Sequence, residues 1–370
     1  MINNKSILIM LHCEQDTGYA IGKLENVFRL SALNAGYCEK KILWSYSTVN
    51  RPEANIYEMD YQSNDSATLL EELIEDNKID TILAFDLPYP TKITRTARRS
   101  GVKNIVSYWG ASMSSHNHGL KLLLKRSQWY IQKYSAPNLF IFESKAMQHS
   151  ATNGRGVPAG KTCVIPLGVD TSQYYPSGDK SYIKDELNIP GDRKVIFYSG
   201  HMEERKGIRI IMKTARYLEE KSMIANIHFV LCGNKRNESD TYLDELSESR
   251  ALSHVTFAGY RNDVPELMRS SDIGVIASTG WDSFTRSSVE MMASGIPLLA
   301  SNLGGLAETT KHSETGFLFE AGNYKTLANY IYQLAMNDGK RNMLSLAARQ
   351  RAIDFFDEKD QIFNLSKKFI

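Results

Sequence analysis

The chain has 370 residues, enough for two domains of common size, and 42% of them are hydrophobic, as in a globular protein. Its formal net charge of +2 gives no general argument for a nucleic-acid partner. No apolar run reaches the length of about 18 residues that a transmembrane helix needs, and the first residues favour a β-strand over a signal peptide.

Predicted strands and helices alternate through the first part of the chain. Strands are predicted at residues 6–11, 41–46, 81–85, 103–108 and 138–142, and helices at 18–35, 67–76, 92–99, 118–134 and 144–152. This repetition indicates a parallel sheet that is covered by helices on both faces.

A second series follows a linker. The strand that begins near Lys161 breaks at Pro166 and Gly168, and polar residues then run to Pro190. Strands are predicted at 194–199, 227–231, 255–257, 273–277, 298–300 and 315–319, and helices at 207–219, 264–270 and from 324 onward. These boundaries predict one domain at 1–166 and another at 167–356.

The four cysteines, Cys13, Cys38, Cys163 and Cys232, show no metal-binding or redox spacing. They are expected to be reduced, buried thiols of a cytosolic protein.

The segment from Asp282 to Ala300 carries the most informative pattern. A helix that begins near Ser283 would hold Glu290 about two turns beyond Asp282, so both carboxylates would lie near one face. The unpaired backbone N–H groups of Ser283, Phe284, Thr285 and Arg286 would then form an anion site. The alternative is an ordinary strand–helix unit in which Asp282 caps the helix and Glu290 is solvated.

Asp282-x7-Glu290, followed by Met-Ala-Ser-Gly-Ile-Pro, resembles the signature of the retaining glycosyltransferases of family 4. The family usually has Glu at the first position, and Met291 stands where it has Ala. The resemblance implies the α/β GT-B fold, in which two Rossmann-like, doubly wound domains face each other across a cleft. It also implies that domain 1–166 binds the acceptor, that the last helix, 357–370, packs back on that domain, and that domain 167–356 binds the nucleotide sugar.

The same resemblance assigns catalytic residues. Lys206-Gly207 matches the family's Lys-Gly, so Lys206 would hold the donor diphosphate. Where the family has an arginine five residues earlier, this chain has His201, and Arg205 or Arg286 is expected to supply the missing cation. Glu290 would bind ribose hydroxyls, and Asp282 would bind hydroxyls of the sugar ring.

The resemblance also implies which residues line the binding sites. The expected donor-binding residues are Gly18, Gly200, His201, Gly233, Asn262, Ser283, Phe284, Thr285, Gly304 and Gly305. Trp109 stands where the family often has a histidine, and with His116 and His118 it is the candidate acceptor contact. Two histidines two residues apart suggest a metal, but no third ligand lies nearby in the sequence, so no metal site is predicted.

Residues 87–142 contain no acidic side chain. This stretch includes Arg95, Arg98, Arg99, Lys121, Lys125 and Arg126. The helix at 118–134 is predicted either to pack on the core with a solvated basic face or to lie on an anionic bilayer.

The resemblance to this family implies a retaining, metal-independent glycosyltransferase without a cofactor. It would move a hexose-type sugar from a UDP- or GDP-sugar to a glycan or lipid-linked acceptor in bacterial surface polysaccharide, lipopolysaccharide or other glycan biosynthesis. It would act in the cytoplasm or at the inner face of the membrane, with no nucleic-acid partner. The alternatives are a GT-B sugar-nucleotide 2-epimerase and a non-catalytic subunit that binds sugar nucleotides.

Overall fold

A parallel β-sheet forms the centre of each of the two units into which the chain divides in the computed structural model, which describes residues 5–235 and 237–369. The first unit comprises the described residues up to Pro166 together with those from Glu358 onward, and the second comprises Leu167–Asp357. The division falls within one residue of the predicted limits.

The first unit is built on seven strands in the order β3-β2-β1-β4-β5-β6-β7, and all their pairings are parallel. The strands are β1 (Ser6–Met10), β2 (Ile42–Tyr46), β3 (Ile56–Glu58), β4 (Ile79–Phe85), β5 (Asn104–Trp109), β6 (Leu139–Phe142) and β7 (Thr162–Val164). The helices are α1 (Tyr19–Asn34), α2 (Asn64–Asn77), α3 (Lys92–Arg99), α4 (Gly119–Gln132) and α5 (Lys145–His149), which continues into a π-helical turn, Ser150–Arg155.

The second unit has six strands in the order β10-β9-β8-β11-β12-β13, again all parallel. They are β8 (Lys194–Ser199), β9 (Ile227–Cys232), β10 (Val255–Gly259), β11 (Ile273–Ile276), β12 (Leu298–Ser301) and β13 (Gly316–Phe319). The helices are α6 (Tyr182–Leu187), α7 (Ile208–Glu220), α8 (Asp240–Leu243), α9 (Val264–Arg269), α10 (Arg286–Ala293), α11 (Tyr324–Ala335) and α12 (Asp338–Phe355).

The central strands are apolar because helices cover both faces of each sheet. All five residues of β1 and all six of β9 are buried. Side chains of successive residues therefore enter different cores: Ile7 and Ile9 pack on one side of the first sheet and Leu8 and Met10 on the other. In open parallel sheets of this kind, the loops beyond the carboxyl ends of the strands are the usual place for a ligand site.

The C-terminal helix α13 (Glu358–Ser366) belongs to the first unit and packs against α1. Leu365 and Phe369 are buried in the core beside α1, and Asn34 donates a 3.0 Å hydrogen bond to the Ser366 hydroxyl. The predicted helix was longer, 357–370, and its last residue, Ile370, lies outside the described residues.

One expectation about exposure is wrong, and one of the two alternatives for α4 is not met. Cys38 is exposed and only Cys232 of the four free cysteines is fully buried, because Cys38 lies in the loop after α1 and not in a strand. In α4 the sole buried side chain is Trp129, so this helix does not pack its leucines on the core. Over the described ranges, no helix is both long and apolar enough to cross a membrane.

Candidate active site

Lys206 and Asp282 form a buried ion pair at the centre of the second unit's carboxyl edge. The Lys206 ammonium lies 2.9 and 3.0 Å from the two Asp282 carboxylate oxygens, and the Ser278 hydroxyl donates to the same carboxylate at 2.6 Å. Asp282 is only 5% exposed. A carboxylate this buried needs such partners, so the pair fixes the position of both charges.

The strand order explains why residues 76 positions apart meet. Lys206 follows β8 and Asp282 follows β11, and these two strands are neighbours at the point where the chain changes direction across the sheet. In open parallel sheets the crevice beyond the strand ends at this switch point is the usual place for a ligand.

Backbone contacts hold the two loops together. Thr279 N–H donates to the Arg205 carbonyl at 2.8 Å. Gly207 has φ of 76°, and a Cβ added there would lie 1.7 Å from the Ala277 carbonyl oxygen. Only glycine therefore permits this approach of the loop after β8 to the loop after β11.

The other glycine loops meet at the same edge. Gly200 N–H donates to the Cys232 carbonyl at 3.1 Å, and a Cβ on Gly233 would lie 2.3 Å from the Gly200 carbonyl oxygen. A Cβ on Gly304 would lie 2.7 Å from the Asp282 carbonyl oxygen, and Gly305 follows directly. The turns after β8, β9 and β12 thus come together around the ion pair. Because glycines form them, a ligand could approach their backbone closely.

Helix α10 begins at Arg286, not near Ser283 as predicted. The reason is Phe284, whose buried ring packs on Phe356 with centroids 5.1 Å apart and draws residues 283–285 into an irregular turn. Asp282 therefore lies ahead of the helix and does not share a helical face with Glu290. The backbone N–H groups predicted to form an anion site from Ser283 onward therefore do not belong to the first turn of the helix. That turn begins at Arg286, after the N-cap residue Thr285.

Two polar groups near this helix start have distinct environments. Glu290 is 4% exposed inside α10, whose other residues from Ser287 to Ala293 are also buried. It is not the solvated residue of the alternative interpretation. The Thr285 hydroxyl is buried and has no hydrogen-bond partner among the described residues. A buried hydroxyl without a partner is costly, so a ligand or water is expected beside it.

The two candidate arginines differ. Arg205 binds Glu203 at 2.7 Å, lies 4.9 Å from the centre of the Trp281 ring and donates to the Trp281 carbonyl. Arg286 donates to the Gly168 carbonyl at 3.3 Å and forms no ion pair within the described ranges. Arg286 therefore keeps an uncompensated charge at the start of α10, whereas the charge of Arg205 is already balanced.

The remaining predicted donor residues of this unit lie on the surface. His201 is exposed, and its backbone carbonyl accepts from the Tyr198 hydroxyl at 2.8 Å. Asn262 is exposed in the loop before α9. The Asp263 carboxylate at the N-cap of α9 pairs with Arg261 and accepts from Tyr182 at 2.7 Å, and it makes no capping hydrogen bond to the helix.

The predicted residues of the first unit are spread along its carboxyl edge. Gly18 is the N-cap of α1 with φ of 96° and open space around it. Trp109 ends β5, and its indole N–H donates to Ser107 at 2.7 Å. His116 and His118 are exposed on either side of the buried Asn117, which binds the Gly154 carbonyl. Among the residues that the structure describes, no group of His, Cys, Asp or Glu could hold a metal ion.

Sequence reasoning missed Ser278 and Trp281. Trp281 is 53% exposed, directly precedes Asp282 and carries the Arg205 guanidinium over its ring. Its place beside a candidate acid is a usable sequence signal, because exposed aromatic rings commonly mark ligand contacts. Ser278 offers no such sequence signal, because its role depends only on its hydrogen bond to Asp282.

Known proteins match this chain over most of its length. The model for glycosyl transferases group 1 matches residues 179–351, and the model for Glycosyltransferase Family 4 matches residues 46–173. One relative is UDP-Gal:alpha-D-GlcNAc-diphosphoundecaprenol alpha-1,3-galactosyltransferase of Escherichia coli, 24% identical over 57% of this chain and 54% of that protein. Spore coat protein SA of Bacillus subtilis is 28% identical over 52% of this chain and 54% of that protein. The chain thus spans about half the length of these curated relatives.

Solved structures match nearly the whole chain. A glycosyltransferase from Rickettsia africae has a TM-score of 0.79 at 16% identity, covering 98% of this chain and 97% of that one. Anabaena Alr3699/HepE in complex with UDP has a TM-score of 0.77 at 20% identity, with 98% of both chains covered. At such identities these likenesses bear on the fold, which is that of the GT-B glycosyltransferases. With both family models matching in the expected order, the chain belongs to the group 1 glycosyltransferases of family 4.

Proposed function

We propose that this chain transfers a hexose-type sugar from a UDP- or GDP-sugar to an acceptor hydroxyl, with retention of anomeric configuration. The observation that carries the proposal is the Lys206–Asp282–Ser278 cluster at the switch point of the second sheet. Anabaena HepE, a protein of the same fold, has been crystallised with UDP and with UDP-glucose. We therefore favour UDP as the nucleotide.

The charges of the site suit a leaving diphosphate. Lys206 and Arg286 supply cations, and the first N–H groups of α10 point along the helix dipole toward an anion. Such fixed donors stabilise charge that develops on the leaving oxygen, and we propose that they do so without a metal ion. Asp282 keeps Lys206 in place, and its remaining lone pairs accept from a sugar hydroxyl.

The anomeric configuration is retained if the bond that breaks and the bond that forms lie on the same face of the sugar. The bond from the anomeric carbon to the diphosphate oxygen breaks, and a bond from that carbon to the acceptor oxygen forms. The acceptor proton passes to the leaving phosphate oxygen, so no side chain acts as nucleophile. Glu290, buried in α10, accepts hydrogen bonds from the vicinal ribose hydroxyls.

A nucleotide-release assay tests the function directly. Purified protein is incubated with a panel of UDP- and GDP-sugars, with and without a bacterial membrane lipid extract. Release of one nucleotide that increases with extract is the expected result. Donor conversion without release would instead indicate the epimerase, and tight nucleotide binding with neither outcome would indicate a non-catalytic subunit.

The arginines of the site give a paired prediction. Arg286→Ala is expected to weaken UDP binding about tenfold or more, because Arg286, which has no ion pair within the described residues, would lose a charge-assisted bond to phosphate. Arg205→Ala should change the affinity by less than about threefold, since Glu203 already balances that charge. Isothermal titration with UDP measures both. A larger loss in the Arg205 variant would reverse the assignment.

The surface of α4 supports a lipid-linked acceptor. Leu120, Leu124 and Ile131 are 74%, 62% and 80% exposed. Lys121 and Arg126 are exposed among them, and the adjoining stretch has no acidic residue. A groove of about 610 Å³ beside the helix is lined by Arg126, Trp129 and Tyr130. We propose that this face lies on an anionic bilayer.

Not every predicted basic residue is available for that contact. Arg95 and Arg99 are exposed on α3, and Lys125 is half-buried and binds Gln128 at 3.3 Å. Arg98 donates to the Ala136 carbonyl at 3.1 Å and to Asn138 at 2.6 Å, so it ties α3 to the segment before β6.

The double variant Leu120→Glu, Leu124→Glu is expected to lower vesicle binding at least tenfold, because it removes exposed apolar surface and adds negative charge. Co-sedimentation with phosphatidylcholine vesicles, with and without phosphatidylglycerol, measures the effect. Leu346→Glu on α12 is the matched control, since Leu346 is equally exposed in the second unit. Equal binding by all three proteins would contradict the bilayer contact.

A further inference from the structure

A groove lies on the first unit between α4 and the part of the chain that follows β6. Its volume is about 610 Å³, within the range of about 300 to 1,000 Å³ that is typical of sites for small organic ligands. One wall is formed by Arg126, Trp129 and Tyr130 of α4. The other wall comes from the end of α5, the π-helical turn and residues 156–159, and none of the described lining residues is acidic.

Close packing of the backbone brings the two walls together. Gly156 has φ of 74°, and a Cβ added there would lie 2.6 Å from the backbone nitrogen of Arg126. Only glycine therefore permits this contact between α4 and the chain before β7. The buried Trp129 packs on Tyr89 and Phe140, with ring centroids 5.4 and 6.0 Å away, so α4 is held in place beside the groove. The groove is thus part of the folded unit, and π-helical turns of the kind beside it occur frequently at functional sites.

The groove lies in a strongly basic part of the chain. Residues 87–169 contain twelve Lys or Arg side chains and one acidic side chain, Glu143, although the whole chain has a net charge of only +2. Glu143 is buried and accepts a 3.2 Å hydrogen bond from the Tyr108 hydroxyl, so its charge is enclosed. A surface with charge of one sign attracts a partner of the opposite sign. The expected ligand of the groove is therefore an anion.

Arg126 has the chemistry to bind a phosphate group. Its side chain is exposed and forms no ion pair within the ranges that the structure describes. The guanidinium presents N–H donors in a planar arrangement that matches two oxygens of a phosphate. Lys133 lies 3.8 Å from the centre of the Tyr130 ring and adds a second cation beside the groove. On the opposite wall, the side chains of Thr152 and Asn153 offer further hydrogen-bond donors.

Apolar surface adjoins the same groove. Leu123 and Tyr130 lie one turn before and one turn after Arg126 on α4, and their side chains are 56% and 69% exposed. An anion that carries hydrocarbon chains satisfies both features. Its charged group contacts Arg126, and its chains cover apolar surface that water would otherwise contact. An inorganic ion would use only the first feature.

We propose that the groove binds the phosphate of an anionic phospholipid headgroup, with Arg126 as its principal contact. The inference rests on the proposed contact of α4 with a bilayer and goes beyond it, because a general attraction between charges requires no groove. A defined site predicts saturable binding of a single lipid molecule, even where no bilayer is present.

Isothermal titration of the full chain with dihexanoyl-phosphatidylglycerol, kept below its critical micelle concentration, measures binding in the absence of a bilayer. Saturable binding at one site per chain is the expected result. The zwitterionic dihexanoyl-phosphatidylcholine should bind about threefold or more less tightly, because its choline cation repels Arg126. Inorganic phosphate and glycerophosphoglycerol, the headgroup without its acyl chains, should each bind about tenfold or more less tightly, because they bury no hydrocarbon. These two ligands separate a lipid from a free phosphate.

Two variants test the groove itself. Arg126→Gln is expected to raise the Kd for the short-chain phosphatidylglycerol about tenfold or more, through the loss of a charge-assisted bond. Thr152→Phe leaves the charge unchanged and places a ring in the groove, so a similar loss is expected from steric exclusion. Arg95→Gln is the matched control, since it removes the same charge from the exposed surface of α3, outside the groove, and should change the Kd by less than about twofold. Thermal unfolding verifies that each variant is folded.

The outcomes are distinct. Equal losses in Arg126→Gln and Arg95→Gln, or no saturable binding by the unmodified protein, overturn the site. Inorganic phosphate that binds as tightly as the short-chain lipid would overturn the assignment to a lipid. Saturable binding of that lipid by a protein that does not sediment with vesicles would support the groove and contradict the bilayer contact. Failure of the proposed sugar transfer shows separately, as the absence of nucleotide release.

Discussion

Lys206→Ala is expected to lower the rate of sugar transfer by about 10² to 10³-fold. The Lys206 ammonium is fixed within 3.0 Å of the Asp282 carboxylate at the switch point of the second sheet. A cation held in place before the reaction stabilises the leaving diphosphate without reorganisation, and the loss of one such group typically costs this much. The measurement is nucleotide release in the presence of acceptor, under single-turnover conditions.

The same substitution also removes the partner of a buried carboxylate, which is strongly destabilising. The double variant Lys206→Ala, Asp282→Asn removes the stranded charge, so it should recover most of the thermal stability and none of the transfer rate. Lys221→Ala, at the far end of α7, is the matched control and should behave as the unmodified protein. Recovery of transfer in the double variant would show that Lys206 acts only through folding.

The alternation of elements could be predicted because it depends on local patterns. Lys92–Arg99 and Lys194–Ser199 were predicted with their observed limits, since each is bounded by turn residues and has a regular pattern of buried positions. The edge strand Ile56–Glu58 was missed. It has only three residues, none of them fully buried, so neither alternation nor an apolar run marks it.

At the start of α10, tertiary packing overrides the local sequence signal for a helix start. Asp282 followed by Ser283 has the composition of a helix start, but the burial of Phe284 against Phe356 delays the helix to Arg286. Phe356 lies 72 residues further along the chain, so no local pattern contains this contact. In α4 the apolar spacing predicted a helix, but spacing alone does not say which face of the helix packs on the core. Trp129 is the one buried side chain of this helix.

Polar contacts at the strand ends of both sheets also depend on strand order. Lys206 was recognised from its Lys-Gly pair, but its ion pair with Asp282 requires β8 and β11 to be neighbours. Asp86 reads in the sequence as the end of a buried strand and nothing more. Its left-handed φ and its bond from Gly110 arise from tertiary structure, as does the burial of the Tyr61 hydroxyl without a partner in the part of the chain that the structure describes.

Glu290→Gln is expected to weaken donor binding and to lower transfer about 10²-fold or more. A buried carboxylate accepts from two vicinal hydroxyls at once, whereas an amide offers one oxygen and presents a donor in place of the other. The loss should depend on the ribose. The unmodified protein should bind UDP about tenfold or more tightly than 2′-deoxy-UDP, and Glu290→Gln should bind the two nearly equally.

This comparison separates ribose recognition from a role of Glu290 inside α10. A structural role would weaken both nucleotides equally and leave their ratio unchanged, because the missing 2′-hydroxyl would not be the lost partner. Glu266→Gln on α9, where Glu266 binds Arg269 at 3.2 Å on the surface, is the matched control and should preserve both affinities. A Glu290→Gln protein that still discriminates between the nucleotides would place the ribose elsewhere. Thr285, whose hydroxyl at the start of the same helix has no partner among the described residues, would be the next residue to test.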